Sequence, residues 1–271
     1  MMDSTRYDWL AEVDFKLNCW MSRFPDAIIA NSRAGCAYHV AQGYPSGKTV
    51  VIPNGVDTDK FYPDLQARAG LRKEWGVTEQ DNLVGIVGRL DPMKDHPVFL
   101  KAAALLRKER KNIRFVCVGD GPEDYRHTLH TLATRLGLGD CLLWVAARDD
   151  MPAVYNALDV AASTSSFGEG LSNVTSEAMA CGVPCVVTDV GDSAWLVGNH
   201  GEVVPPKNHA ALKKAIEKLL DQRPYAGAQI RQRVIDELST KKLVLNTESL
   251  LQGLLRNHHG ALSIMDTVKE E

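Results

Sequence analysis

No apolar run in this 271-residue chain approaches the ~18 residues that would cross a bilayer. The opening Met-Met-Asp-Ser-Thr-Arg also lacks the apolar core of a secretory leader. Charge of one sign is scarce too: a formal net charge of −3 gives no reason to expect nucleic acid as the main partner. The six cysteines (Cys19, Cys36, Cys117, Cys141, Cys181, Cys185) form no C-x-x-C pair and have no clustered histidines. They read as reduced core thiols, so the expectation is a cytoplasmic protein without a metal. Two nucleotide motifs are nearly present but fail. Gly43-Tyr-Pro-Ser-Gly47-Lys48-Thr49 has one residue too few between its glycines and runs from helix to strand, the reverse of a P-loop. Gly119-Asp-Gly121-Pro-Glu-Asp124 carries Asp124 where a dinucleotide fingerprint needs its third glycine, which argues against a nicotinamide enzyme. Asp57-Thr-Asp59 follows the Asn54-Gly55 turn and reads as a charged linker rather than a metal site.

What is present is ordinary globular composition, 45% hydrophobic and 24% charged, with a clear alternation from residue 83 onward. Apolar runs at 83–87, 113–118, 141–145, 159–163, 184–188 and 202–204 read as buried strands. Amphipathic segments at 97–110, 123–136, 151–157, 172–180 and 210–220 read as helices. This order predicts parallel strands with right-handed crossovers, a doubly wound α/β sheet that binds ligands beyond its strands' carboxyl ends. The first eighty residues offer a helix (8–24), a strand (27–30), a helix (32–42) and a strand (49–52). These are too few for an independent domain, so 1–55 reads as the end of a domain whose beginning is missing. The expected organisation is 1–55 as that remnant, 56–225 as the ligand-binding domain, 226–258 as helices returning toward the N-terminal part, and 259–271 as a frayed tail.

The most informative segment is Ser165-Ser-Phe-Gly-Glu169-Gly-Leu-Ser-Asn-Val-Thr-Ser-Glu177. A glycine-bearing loop leads into a helix expected from Ser172, whose N-terminal amides suit an anion. Glu177, one to two turns along, leans back toward that end. Phosphate beside hydroxyls, as in a nucleotide sugar, fits this arrangement; an ordinary loop-to-helix junction with solvated carboxylates is the alternative. Gly88-Arg89-Leu-Asp-Pro-Met-Lys94 follows the first strand of the α/β unit. Arg89 and Lys94 can reach one diphosphate, the arginine as a fork and the lysine as a point charge. Pairing with Asp91 and Asp95 is the competing reading, and the neighbouring 165–177 segment favours phosphate. The basic run Lys101, Arg107, Lys108, Arg110, Lys111 and Arg114 reads as a solvated helix end that could also touch an anionic membrane surface.

Taken together, Gly88-Arg-Leu-Asp-x-x-Lys94, Glu169-Gly-x₆-Glu177-Ala-Met-Ala-Cys-Gly-Val-Pro-Cys-Val186, Ile29-Ala-Asn-Ser32 and Val51-Ile-Pro-Asn-Gly-Val-Asp57…Phe61 resemble the retaining glycosyltransferases of family 4. The resemblance covers roughly residues 20–255 and lies nearest to bacterial enzymes of cell-surface polysaccharide assembly. It implies the GT-B fold, two Rossmann-like domains with the donor held mainly by the second. Carried over, Arg89 and Lys94 neutralise the leaving diphosphate, and Gly88 belongs to the same loop. Gly170, Leu171, Ser172 and Asn173 offer amides to the distal phosphate, Glu177 binds the ribose hydroxyls, and Glu169 the transferred sugar. The catalytic set implied is Arg89, Lys94 and Glu169, with no cofactor or metal. The implied partners are a nucleotide sugar donor and a glycan or lipid-linked acceptor, at the inner membrane face or free of it. The sequence departs from the family at Leu171-Ser172, where Phe-Gly is usual, and at Ala146, where a glycine is expected near the base. The family's glycine-rich loop and active-site histidine belong to the first domain, represented here only by 1–55. A hexosyltransferase, or its donor-binding part, is the leading expectation. A non-catalytic nucleotide-sugar or partner-docking module comes second, and a sugar-nucleotide epimerase third.

Overall fold

The computed structural model describes residues 8–222 and 227–267. They divide into two compact units: the described residues up to Pro53 together with those from Leu243 onward, and Asn54–Lys242.

The smaller unit contains α1 (Asp8–Met21), β1 (Ile28–Ala30), α2 (Arg33–Ala41) and β2 (Thr49–Val51). Strands β1 and β2 pair in parallel, Ile29 opposite Val50. Ser32 caps α2, its hydroxyl accepting from Gly35 N at 3.0 Å. Within Gly43–Thr49, Ser46–Lys48 forms a 3₁₀ turn and Thr49 opens β2. Lys48 Nζ donates to the carbonyls of Arg23 and Pro25 at 2.8 and 3.0 Å.

In the larger unit come α3 (Leu65–Glu74), β3 (Asn82–Val87), α4 (His96–Glu109), β4 (Ile113–Val118), α5 (Glu123–Arg135) and β5 (Leu142–Val145). They are followed by α6 (Met151–Ala157), β6 (Val160–Ser163), α7 (Asn173–Ala180), β7 (Cys185–Thr188), α8 (Ser193–Val197), β8 (Glu202–Val204), α9 (His209–Asp221) and α10 (Gly227–Leu238). Helix α11 (Thr240–Thr267) starts here and continues into the smaller unit. Of the tail expected over 259–271, residues 259–267 continue α11 and 268–271 lie outside the described residues.

The six strands β3–β8 form one parallel sheet in the order β5-β4-β3-β6-β7-β8. Both faces are buried, which is why the strands read as continuous apolar runs instead of alternating ones. Val84, Ile86, Phe115 and Cys117 face a core shared with α4, α5 and α9, where Phe99, Leu106, Leu129 and Ile216 pack. Leu83, Val116 and Val118 face the opposite core with Tyr155, Met179, Leu196, Ile230 and Val234. Chain order reverses between β3 and β6, so a crevice opens beyond the carboxyl ends of those two strands.

Two helices have no counterpart in the sequence reading, α3 and α8. Helix α3 carries an N-cap, Asp64, whose carboxylate accepts from Gln66 N and Ala67 N. Its inward face, however, includes Arg72, 1% exposed, a residue that periodicity counts as solvent-facing. The segment 226–258, expected as helices, holds α10 and the first part of α11. They are parted at Ser239, where Val56 N donates to Leu238 O and Thr240 N to Val56 O.

Candidate functional site

The loops that end β3 and β6 meet in the crevice. Gly119 has φ +142°, and a Cβ there would stand 2.1 Å from Gly88 O, so the turns after β3 and β4 lie against each other. Leu90 N donates to Asp120 O at 2.9 Å, fixing that contact. Asp91 caps the short 3₁₀ turn Pro92–Lys94 by accepting from Met93 N at 2.8 Å. The β6 loop is tied to this turn at two points. Ser166 N donates to Met93 O at 2.8 Å, and Thr164 Oγ1 donates to Lys94 O at 2.7 Å.

Side chains converge at the same place. Lys94 Nζ lies 2.5 Å from Glu169 Oε2, and Ser165 Oγ donates to that same oxygen at 2.7 Å. Gly88 borders the lysine: a Cβ there would be 3.8 Å from Lys94 Cε. The competing sequence reading, pairing with Asp91 and Asp95, is not what the fold makes of Lys94, whose ion-pair partner is Glu169. Arg89 is exposed at the rim, and its guanidinium has no ion pair or hydrogen bond among the described residues. The backbone of Glu169–Gly170 is held from the other side. Asp192 N donates to Gly170 O at 2.8 Å. Gly191, with φ +60°, comes so close that a Cβ would stand 2.0 Å from Glu169 O.

Helix α7 begins one residue later than expected, with Ser172 as its N-cap. The buried hydroxyl of Ser172 faces Thr175 N at 3.4 Å and accepts from Thr175 Oγ1 at 3.0 Å. Ser172 therefore offers its side chain to the helix, and helix geometry leaves the amides of Asn173 and Val174 without intrahelical acceptors. The adjacent Leu171 is buried in the core, while Asn173 is exposed and its Oδ1 accepts from Asn54 Nδ2 at 3.1 Å. Glu177 does not join the Lys94–Glu169 group. Its Oε2 accepts from the Tyr155 hydroxyl at 2.6 Å. Burial raises the Glu177 carboxyl above its ordinary value, partly offset by that hydrogen bond and by Lys60. The Tyr155 phenol is pushed up by burial and by the neighbouring carboxylate.

Arg89 and Gly88 also line a cavity of about 270 Å³ with Val87, Val118, Gly119, Asp120, Ala147, Arg148 and Met151. Its wall is fixed by Asp120, whose carboxylate accepts from Ala147 N at 2.9 Å. Arg148 is clamped by Asp150 at 2.7 Å and Glu74 at 2.8 Å. Tyr155 and Arg148 escaped the sequence reading because nothing in their spacing marks them, while Ser165 and Asp120 lay in segments it singled out without being given a role. His96 escaped it too. It is 1% exposed with neither ring nitrogen hydrogen-bonded, and burial, reinforced by Lys94, lowers it to about 4, so the imidazole is neutral.

Asp57 accepts from the amides of Asp59 and Lys60, closing a turn. Among the described residues no group of three or more His, Cys, Asp or Glu is placed to hold a metal ion, and no helix is long and apolar enough to cross a membrane. In the basic run, Arg107 pairs with Asp140, Arg110 with Asp221, and Arg114 donates to Asp140 O.

A family model described as glycosyl transferases group 1 matches residues 68–237, and one described as Glycosyltransferase Family 4 matches residues 4–60. The chain is 34% identical over 194 residues to a GDP-mannose-dependent α-(1-6)-phosphatidylinositol monomannoside mannosyltransferase of Mycolicibacterium smegmatis, covering 68% of this chain and 50% of that protein. It is 33% identical over 224 residues to the D-inositol 3-phosphate glycosyltransferase 2 of Catenulispora acidiphila, covering 78% and 51%. Among solved structures, Anabaena HepE in complex with UDP and glucose aligns with a TM-score of 0.83 at 26% identity, over 89% of this chain and 67% of that one. The chain thus spans about half the length of the curated relatives it matches.

Proposed function

The chain belongs to the glycosyl transferases group 1 family, of the GT-B type, and on that premise we propose that it is the donor-binding part of a hexosyltransferase. It transfers the sugar with retention from a nucleotide diphosphate sugar to a glycan or lipid-linked acceptor of polysaccharide assembly. The observation that carries this reading is the meeting of Lys94 with Glu169 and Ser165 of the loop that precedes α7, beside an exposed Arg89 that has no ion pair among the described residues. The relatives support a nucleotide sugar donor: GDP-mannose for the Mycolicibacterium smegmatis mannosyltransferase, UDP-glucose bound to HepE.

In this reading the diphosphate lies between the basic pair and the α7 amides, where fixed donors and the helix dipole meet its charge. Charge grows on the leaving diphosphate as the glycosidic bond breaks. Arg89 and Lys94 stabilise it as fixed positive charges in place of a metal. Glu169 receives the sugar hydroxyls and Glu177 the ribose hydroxyls.

Calorimetric titration with UDP and with GDP tests the proposal. One of the two binds, EDTA leaves the affinity unchanged, and Arg89→Ala weakens it roughly tenfold, the value of one charge-assisted contact. No binding of either nucleotide, or an Arg89→Ala variant indistinguishable from the parent, removes the idea. A second reading is a nucleotide-sugar-binding module that does not turn over. Donor hydrolysis or transfer by this chain excludes it.

A further inference from the structure

One carboxylate oxygen, Glu169 Oε2, serves two donors. Lys94 Nζ stands 2.5 Å away and Ser165 Oγ 2.7 Å away. The site is poorly hydrated: the side chains of Lys94 and Glu169 are 17% and 10% exposed, and Ser165 is 1% exposed. An ammonium neutralised by a carboxylate is a weak anchor for phosphate, because the two anions compete for one charge. When the lysine leaves, the carboxylate needs another donor or it is stranded in a region of low hydration. Ser165 already occupies that role, and its backbone cannot drift. Thr188 Oγ1 donates to Ser165 O at 2.6 Å, Ser166 N donates to Met93 O, and Thr164 Oγ1 donates to Lys94 O.

We propose that Ser165 is a positioning residue that retains the Glu169 carboxylate while Lys94 passes from it to the donor diphosphate. The inference rests on the donor-binding reading above and adds to it a self-neutralised resting state, Lys94–Glu169, which the diphosphate opens by exchange. Three effects on nucleoside diphosphate affinity follow. Glu169→Gln removes the competing charge and tightens binding. Ser165→Ala leaves Lys94 as the stronger remaining donor to Oε2 and weakens binding. In the Glu169→Gln background Ser165→Ala has no effect, since no charge remains to be retained.

The test is a double-mutant cycle on the full chain, titrated with UDP and with GDP, with thermal unfolding confirming that each variant folds. The expected result is a roughly three- to tenfold gain for Glu169→Gln and a loss of similar size for Ser165→Ala, with the Ser165 effect abolished in the double variant. A purely structural serine lowers affinity equally in both backgrounds, and that outcome overturns the proposal. So does weaker binding by Glu169→Gln, which decides the exchange even where Ser165→Ala does not fold. A parent chain that binds neither nucleotide removes the donor reading and this role with it. A parent that binds, beside an unaltered Ser165→Ala, removes the serine's role alone.

Discussion

At the scale of single residues, Glu177 shows how burial and function oppose each other. Its carboxyl is raised above the ordinary 4.5 mainly by burial. The folded state then holds the proton more tightly than the unfolded one, so this group's contribution to stability is fully present below 4.5 and is lost as pH climbs through the raised value. Glu177→Gln keeps an oxygen for the Tyr155 hydroxyl and removes the charge. Its thermal midpoint exceeds that of the parent near neutral pH and merges with it below about 4.5, while nucleotide affinity falls. A stability offset of constant size at every pH contradicts this account. That the segments carrying Lys94 and Glu169 follow strands was legible from the apolar runs before them, and the two side chains meet; Glu177, expected at the same place, instead bonds Tyr155. The partners of Ser165 and Tyr155 were not legible, since a hydroxyl's partner depends on what the fold sets against it.

Among elements, the donor loop depends on close packing by its neighbour. Gly191 sits at φ +60° with Glu169 O where a Cβ would be. Gly191→Ala displaces the 169–170 backbone and lowers nucleotide affinity roughly tenfold or more, since misplaced donors lose their alignment. Titration beside the parent checks this, and equal affinities speak against the close approach. The strands of the sheet were readable because burial on both faces writes an uninterrupted apolar run. Helix α7 was readable from Ser172 and the apolar spacing behind it. Helix α3 was missed because its buried face carries a guanidinium, and a five-residue helix such as α8 offers too little periodicity to detect.

Over the whole molecule, the strand-end crevice of the sheet is matched by a buried ionic clamp at the opposite end. Asp159 bonds Arg68 at 2.8 Å and Arg72 at 3.2 Å, and accepts from Leu83 N at 2.7 Å, joining the starts of β3 and β6. Arg72 also donates to the carbonyls of Thr78 and Asp81 at 2.5 and 2.7 Å. Asp159→Ala removes the buried carboxylate from both guanidiniums, leaving them carbonyl acceptors and, for Arg72, the exposed Glu79, and costs about 3–5 kcal/mol in denaturant unfolding. A loss under about 1 kcal/mol would mean that solvent already reaches the pair.

Sequence alone determined the layer order and the chemistry gathered at the strand ends, because apolar periodicity is a local record of burial. Tertiary structure alone decided which charge meets which. Lys94 finds Glu169, 75 residues away, instead of Asp91 or Asp95 beside it. The reason is the sheet order: β6 forms next to β3, and the crevice between them admits two loops that are distant along the chain.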